Sequence, residues 1–293
     1  MTLREALESG EFVVTSEVGP PKGTDISEML SAAEMLRGRV HALNVTDNQA
    51  AVMRLCTLAA CVHLKERGFD PVLQVTCRDR NRLAMQSDLL GAASFGITNV
   101  LALTGDHVAV GDHPQAKPVF DLESVQLLEA IRALRSGHDL AGNELHGTPE
   151  FFAGAVVTPD AHPLAPQLAK FEKKVAAGAR YFQTQAVYDP ATFRGFMEYA
   201  HGLGAKVLAG LVILRSARMA RFMTKNIPGI SVPQPLIDEL DRAEDPVAVG
   251  VEIAARFITQ TRDVCDGVHM MAVGAEHLVP RVLDAAGLEG VST

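Results

Sequence analysis

Two carboxylates stand where apolar stretches of this sequence end. Glu17 lies inside a β-branched run, Phe12-Val13-Val14-Thr15-Ser16-Glu17-Val18, and Asp106 closes Leu101-Ala102-Leu103-Thr104-Gly105-Asp106. A buried parallel strand that releases an acidic side chain at its C-terminal end presents it to the mouth of a barrel. Glutamate is a poor helix cap, and apolar neighbours disfavour its ionised form. Glu17 is therefore a candidate general acid, its carboxyl raised toward the range useful for proton donation. Asp106, on a different strand, can have a separate environment and a separate role. Each also has a plainer reading. Asp106 suits a Gly-Asp turn that caps the next helix, and Glu17 suits a solvated or salt-bridged strand end.

Other strand ends are polar in the same way. Thr46-Asp47, Gln74-Val75-Thr76, Thr158 and Thr184-Gln185 all follow or close apolar runs. Gln185 offers a donor and an acceptor, suited to the edge of a heterocycle. His162 lies in the loop Asp160-Ala161-His162-Pro163, where a histidine is as readily a surface residue. Lys170, Lys173 and Lys174 sit at helical spacing, as a solvated face or a positive patch that reaches a phosphate. The four cysteines form no C-x-x-C pair and the histidines show no ligand spacing, so no metal site is expected. Neither serine nor cysteine stands in a hydrolase elbow.

The elements that must carry these residues alternate regularly. Strands are expected at 12–18, 41–46, 72–76, 99–103, 152–157, 181–184, 206–214 and 268–273. Helices are expected at 25–36, 50–65, 80–91, 124–134, 168–177, 190–201, 217–224, 235–241, 247–261 and 278–286. Eight strand–helix alternations without a shift in composition predict a single (β/α)8 TIM barrel over 1–293, with an extra helix before the last strand. An open doubly wound sheet would want a glycine-rich phosphate turn after the first strand, and Gly19-Pro20-Pro21-Lys22-Gly23 has prolines instead. A net charge of −8 argues against nucleic-acid or anionic-membrane partners. Scattered cysteines, a polar Met1–Gly10 stretch and no span-length apolar run predict a cytoplasmic protein.

Taken in order, Ser16-Glu17-Val18-Gly19-Pro20-Pro21, Asn44-Val45-Thr46-Asp47, Val75-Thr76-Cys77-Arg78-Asp79 and Ala102-Leu103-Thr104-Gly105-Asp106 resemble the methylenetetrahydrofolate reductase family. The resemblance continues through Pro159-Asp160-Ala161-His162-Pro163, Lys174-Val175-Ala176-Ala177-Gly178 and Gln183-Thr184-Gln185, and so covers nearly the whole chain. It implies a flavin-bearing barrel, with FAD as the family's cofactor and FMN as the alternative, that reduces 5,10-methylenetetrahydrofolate to 5-methyltetrahydrofolate. By that resemblance Glu17 is the general acid that helps open the folate ring. Asp106 holds the pterin and tunes the flavin, and Gln185 bonds the pterin edge. Thr46, Asp47, Gln74, Thr76, Thr104, Gly105, Asp106, Thr158, His162, Gln167 and Lys174 fall at cofactor positions, with Lys174 suited to a phosphate.

The chain departs from the family pattern at several of these positions. Gln74 stands for a histidine, Thr104 for an arginine, Thr158 for a tyrosine and Gln167 for an aspartate. Ser216 replaces the aromatic that stacks on the nicotinamide, and Gly274-Ala275 replaces an arginine. This pattern resembles the short reductase subunits of acetogens, which implies assembly with like or unlike subunits. It also implies electrons from a separate cysteine-rich iron–sulfur and zinc partner rather than directly from NADH. Two other functions fit the same barrel: a flavin-free folate-binding enzyme of the methyltransferase kind, or a non-catalytic subunit of a larger complex.

Overall fold

The computed structural model describes residues 1–291. Eight parallel strands close into a barrel in chain order, β1 to β8, with β8 returning to β1. In order, the elements are α1 (Leu3–Ser9), β1 (Val13–Val18), α2 (Ser27–Met35), β2 (Ala42–Val45), α3 (Thr57–Lys65), β3 (Pro71–Thr76), α4 (Arg82–Ser94) and β4 (Asn99–Leu103). They continue as α5 (Ser124–Arg135), β5 (Phe152–Val157), α6 (Ala165–Ala177), β6 (Tyr181–Ala186), α7 (Pro190–Gly202) and β7 (Lys206–Val212). Then come α8 (Ala217–Asn226), α9 (Gln234–Arg242), α10 (Pro246–Thr261), β8 (Gly267–Met271) and α11 (Val279–Ala285). The expected (β/α)8 barrel is therefore the fold. Among the described residues no helix is long and apolar enough to cross a membrane.

The strands are near-continuous apolar runs because both of their faces are covered. Outward residues such as Leu43, Leu73, Val100 and Phe182 pack under the helices. Inward residues fill the barrel in layers. The lowest takes Val13, Ala42, Val72, Leu101, Phe152, Tyr181 and Leu208 from seven successive strands, and Leu3, Ala6 and Leu7 of α1 seal it from below. Gly154 makes room for that layer, since a Cβ there would lie 2.3 Å from the Tyr181 ring.

The sequence missed α1, whose Thr2–Glu5 capping box fixes its start and whose Gly10 ends it at φ 82°. The helix expected over 50–65 begins only at Thr57. Asn48, Ala50 and Ala51 adopt left-handed φ values of 46°, 54° and 57°, which no right-handed helix accommodates. Backbone donors that a helix would keep for itself go elsewhere: Met53 to Asp112, Arg54 to Asn48 and Leu55 to Pro21. Between β7 and β8 stand three helices, two more than the repeat requires, and α8 and α9 share their own apolar cluster.

Candidate active site

The C-terminal ends of the strands surround a cavity of about 520 Å³. Leu101, Leu103, Val156, Val157 and Met271 give it apolar wall, and most of the remainder is polar or charged. Glu17, Asp47, Gln74, Thr76, Thr104, Gly105, Asp106, Thr158, Gln167, Lys174 and Gln185 all line it. Thr46 and His162 do not. Thr46 is buried just past the end of β2, near Gly19, with its hydroxyl unbonded. His162 is exposed on the loop before α6. The cavity therefore does not bring Thr46 or His162 together with the other expected cofactor positions.

Glu17 is a sheltered carboxylate of the cavity, with a side chain only 13% exposed. Gln74 Nε2 donates to Glu17 Oε1 at 3.2 Å, and His269 Nε2 lies 3.4 Å from the same oxygen. His269, on β8, was not anticipated. Its signal was present, because a histidine alternating with apolar residues in Val268-His269-Met270 must face either the core or the barrel interior.

Asp106 stands at the exposed rim. Gly105 delivers it through a φ of 88°, and a Cβ at Gly105 would meet Thr76 Cβ at 3.0 Å. Only glycine combines that backbone with that approach. Beneath, the buried Arg78 guanidinium donates to Asp106 O at 3.4 Å and to Asn48 O at 3.2 Å, while Asp79 neutralises it in a bidentate pair. One buried cation thus joins the ends of β2 and β4. Asp47 is committed in the same way, accepting from Thr76 N and Thr76 Oγ1 and pairing with Arg80. Farther out, Asp112 accepts from Lys22 and from Met53 N, and so links the segments after β1, β2 and β4. Its carboxyl is held below the usual range, chiefly by Lys22.

The opposite wall is basic. Lys174 of α6 is buried and donates to Val156 O at 2.6 Å, and burial, aided by Lys170, pushes its ammonium down to about 8. Lys170 pairs with Glu123 at 2.8 Å. Gln185 projects between the walls, its Oε1 accepting from Ala186 N at 3.1 Å. Thr104 Oγ1 accepts from Ser124 N at 3.4 Å rather than supplying the positive charge of an arginine. Ser216 caps α8 through its hydroxyl, which accepts from Met219 N at 3.1 Å.

These residues fit a flavin nucleotide in chemical terms. Lys170, Lys174 and Gln167 form a cationic and amide end suited to phosphate, and the glycine at 105 leaves open space beside Thr76 that a Cβ would narrow. Leu101, Leu103, Val156 and Met271 supply apolar surface for a ring system. Among the described residues no group of three or more acidic, histidine or cysteine side chains could hold a metal ion.

The family model for methylenetetrahydrofolate reductase matches residues 2–287. Among curated proteins, methylenetetrahydrofolate reductase 2 of Schizosaccharomyces pombe is 26% identical over 314 residues, which cover 98% of this chain and 47% of that protein. A probable methylenetetrahydrofolate reductase (NADPH) of Caenorhabditis elegans is 25% identical over 75% of this chain and 33% of its own length. The chain spans less than half the length of these relatives. Among solved structures, an uncharacterised Clostridium thermocellum protein that binds two copies of 5-methyl-5,6,7,8-tetrahydrofolic acid superposes with a TM-score of 0.66 at 15% identity, covering 98% of this chain and 99% of that one. EDTA monooxygenase from Chelativorans sp. BNC1 gives 0.57 at 11% identity, with 93% of each chain covered. At such identities the structural likenesses speak for the fold alone.

Proposed function

The chain belongs to the methylenetetrahydrofolate reductase family, and from that premise we propose that it reduces 5,10-methylenetetrahydrofolate to 5-methyltetrahydrofolate. The observation that carries the proposal is the pairing in one cavity of a sheltered acid, Glu17, with a rim carboxylate, Asp106, opposite a buried cation, Lys174. A bound flavin supplies the hydride. Lys174, Lys170 and Gln167 would hold its phosphate end, and Thr76, Thr104 and Gly105 would line its ring.

Glu17 moves the proton. Its carboxyl protonates the folate nitrogen whose loss opens the five-membered ring, so the one-carbon unit becomes an iminium able to accept hydride. The barrel interior keeps this group away from bulk water on all sides but the cavity, where a proton donor acts on the substrate and not on solvent. Asp106 and Gln185 orient the pterin by accepting from and donating to its edge, and fixed orientation lowers the entropic part of the barrier. With Thr104 and Gln167 in place of charged family residues, the cavity's cations are Arg78, paired with Asp79, and Lys170 and Lys174, which is compatible with FAD or FMN.

Electron supply by a separate cysteine-rich iron–sulfur and zinc subunit follows from the same reading. Ser216 is engaged as a helix cap and offers no ring to stack on a nicotinamide, and Gly274-Ala275 offers no arginine.

The deciding experiment measures the visible spectrum of the purified protein and its turnover of 5,10-methylenetetrahydrofolate with chemically reduced flavin, for the native sequence and Glu17→Gln. Flavin bands, turnover in the native protein and its loss in the variant are expected. A colourless protein that takes up neither FAD nor FMN would favour a flavin-free methyltransferase-like enzyme or a non-catalytic subunit, and undiminished turnover in the variant would remove Glu17 from the mechanism.

A further inference from the structure

Arg78, just past the end of β3, is only 2% exposed and yet lines the cavity. A guanidinium carries five N–H donors in a fixed planar fork, so its bonds can be counted. Nε donates to Asp79 Oδ1 at 2.8 Å, and Nη2 divides its two hydrogens between Asp79 Oδ2 at 2.7 Å and Asn48 O at 3.2 Å. Nη1 gives one hydrogen to Asp106 O at 3.4 Å. Its other N–H has no acceptor among the described residues. Four donors are spent on the protein, and one is left at the wall of the cavity. A sheltered donor without a partner is costly, and a ligand that accepts from it removes that cost.

The unspent donor stands beside an unspent acceptor. Asp106 gives Arg78 its main-chain oxygen, while its carboxylate makes no hydrogen bond or ion pair among the described residues. Burial opposes the charge of Arg78, and the carboxylates of Asp79, Asp47 and Asp106 more than restore it, so the guanidinium stays a cation. The two residues are also fixed to one another. The Cβ that Gly105 lacks would lie 3.3 Å from Arg78 Cβ, so the end of β4 rides directly on Arg78. Farther along, Val119 N donates to Arg78 O at 2.8 Å and fastens the returning segment to the same point. Asp47 is committed to Arg80 and Thr76, and Asp79 to Arg78 itself. Arg78 and Asp106 thus present a charged donor and a charged acceptor side by side.

A donor beside an acceptor is the complement of a lactam edge, in which a ring N–H adjoins a C=O. The carboxylate accepts from the ring N–H and the guanidinium donates to the carbonyl, and charge assists both bonds. We propose that Arg78 is a specificity-determining residue of the cavity: with Asp106 it reads the lactam edge of the bound heterocycle, its unspent Nη1–H donating to the ring carbonyl. The inference rests on the reading of the cavity as a site for pterin and flavin, since the pyrimidine ring of each carries such an edge. A ligand with an amino group in place of the carbonyl meets the guanidinium donor to donor and leaves it unpaired. Sites built to bond a polar group reject such analogues strongly for that reason.

The test compares ligands that differ only at that carbonyl. Folic acid and aminopterin carry a 4-oxo and a 4-amino group, and FMN and 4-thio-FMN carry oxygen and the weaker acceptor sulfur. Dissociation constants for all four are measured by fluorescence titration in the native protein and in Arg78→Met. In one pair the native protein favours the oxo ligand by about tenfold or more, and Arg78→Met brings that ratio close to one. A change in the folic acid pair assigns the pterin edge to Arg78, and a change in the FMN pair assigns the flavin edge. Loosened packing weakens both members of a pair alike, so ratios unaltered in Arg78→Met, or near one in both native pairs, would overturn the proposal. Should Arg78→Met not fold, Arg78→Met combined with Asp79→Asn carries the same comparison, because neither partner is left as an uncompensated charge. A native protein that binds none of the four sinks the reading of the cavity together with the proposal. Binding and turnover of 5,10-methylenetetrahydrofolate with unaltered ratios sink the proposal alone.

Discussion

Gln74 donates its Nε2–H to Oε1 of Glu17 at 3.2 Å. An amide of β3 is thus bonded directly to the proposed acid of β1. Replacing the amide by a side chain of similar bulk, Gln74→Leu, removes one donor from Oε1 and leaves the cavity shape. A hydrogen bond to a charged group contributes about 1.5–3 kcal/mol, so turnover falls on the order of tenfold or more. Steady-state kinetics and flavin titration separate the outcomes: a loss of flavin affinity with normal turnover of the loaded protein would make Gln74 a cofactor contact instead.

Lys174 gives a prediction about proton uptake. Burial holds its ammonium at about 8, so near that pH the side chain is partly neutral before ligand arrives. An anionic phosphate beside it favours the charged form and raises that value. Binding of FMN at pH 8 therefore takes up a proton, by a fraction that shrinks toward pH 6, where the lysine is already charged. Calorimetry in buffers of different ionisation enthalpy reads this directly, and Lys174→Met abolishes it. Equal heats in all buffers at pH 8 would separate Lys174 from the phosphate.

Asp160 is buried beyond β5 with Oδ1 unbonded, and burial together with the Asp189 charge raises its carboxyl to about 6. Because this value lies above that of the unfolded chain, the folded state binds the extra proton between about pH 4 and pH 6. Asp160 accordingly lowers stability progressively as pH rises through that window, and the penalty is complete above it. Asp160→Asn removes the buried charge and raises stability at pH 7 by up to roughly 3 kcal/mol. Denaturant unfolding at pH 4 and pH 7 should show the gain at pH 7 alone.

Gly105→Ala tests the rim. A Cβ would enter a backbone of φ 88° and lie 3.0 Å from Thr76 Cβ. Strain of this kind costs on the order of 1–3 kcal/mol. The strand end shifts and carries Asp106 with it, so thermal stability and turnover fall together. A variant as stable and as active as the native protein would mean that the rim is free to rearrange.

The barrel was legible because its signal is repeated eight times: each strand is a short, mostly apolar run followed by a helical stretch, and most of the strands end near a polar group. The candidate site was legible for a related reason, since Glu17 and Gln185 are polar residues inside strands and Asp106 directly follows an apolar one. What escaped notice has physical causes. Alternation along β8 hid His269 among apolar neighbours, and its partner lies 252 positions away. The segment 50–56 has the composition of a helix, yet its backbone donors are taken by Asp112, Asn48 and Pro21, contacts that no local pattern encodes. Thr46 is expected at the cofactor from its place in a motif, yet just past the end of β2 its hydroxyl lies by Gly19, outside the cavity lining.

Asp112 joins Lys22, from the segment after β1, to the backbone of Met53, from the segment after β2, and itself belongs to the segment after β4. Mechanically this makes one hinged panel out of what would otherwise be three independent flaps. A single carboxylate is the knot that ties the three together.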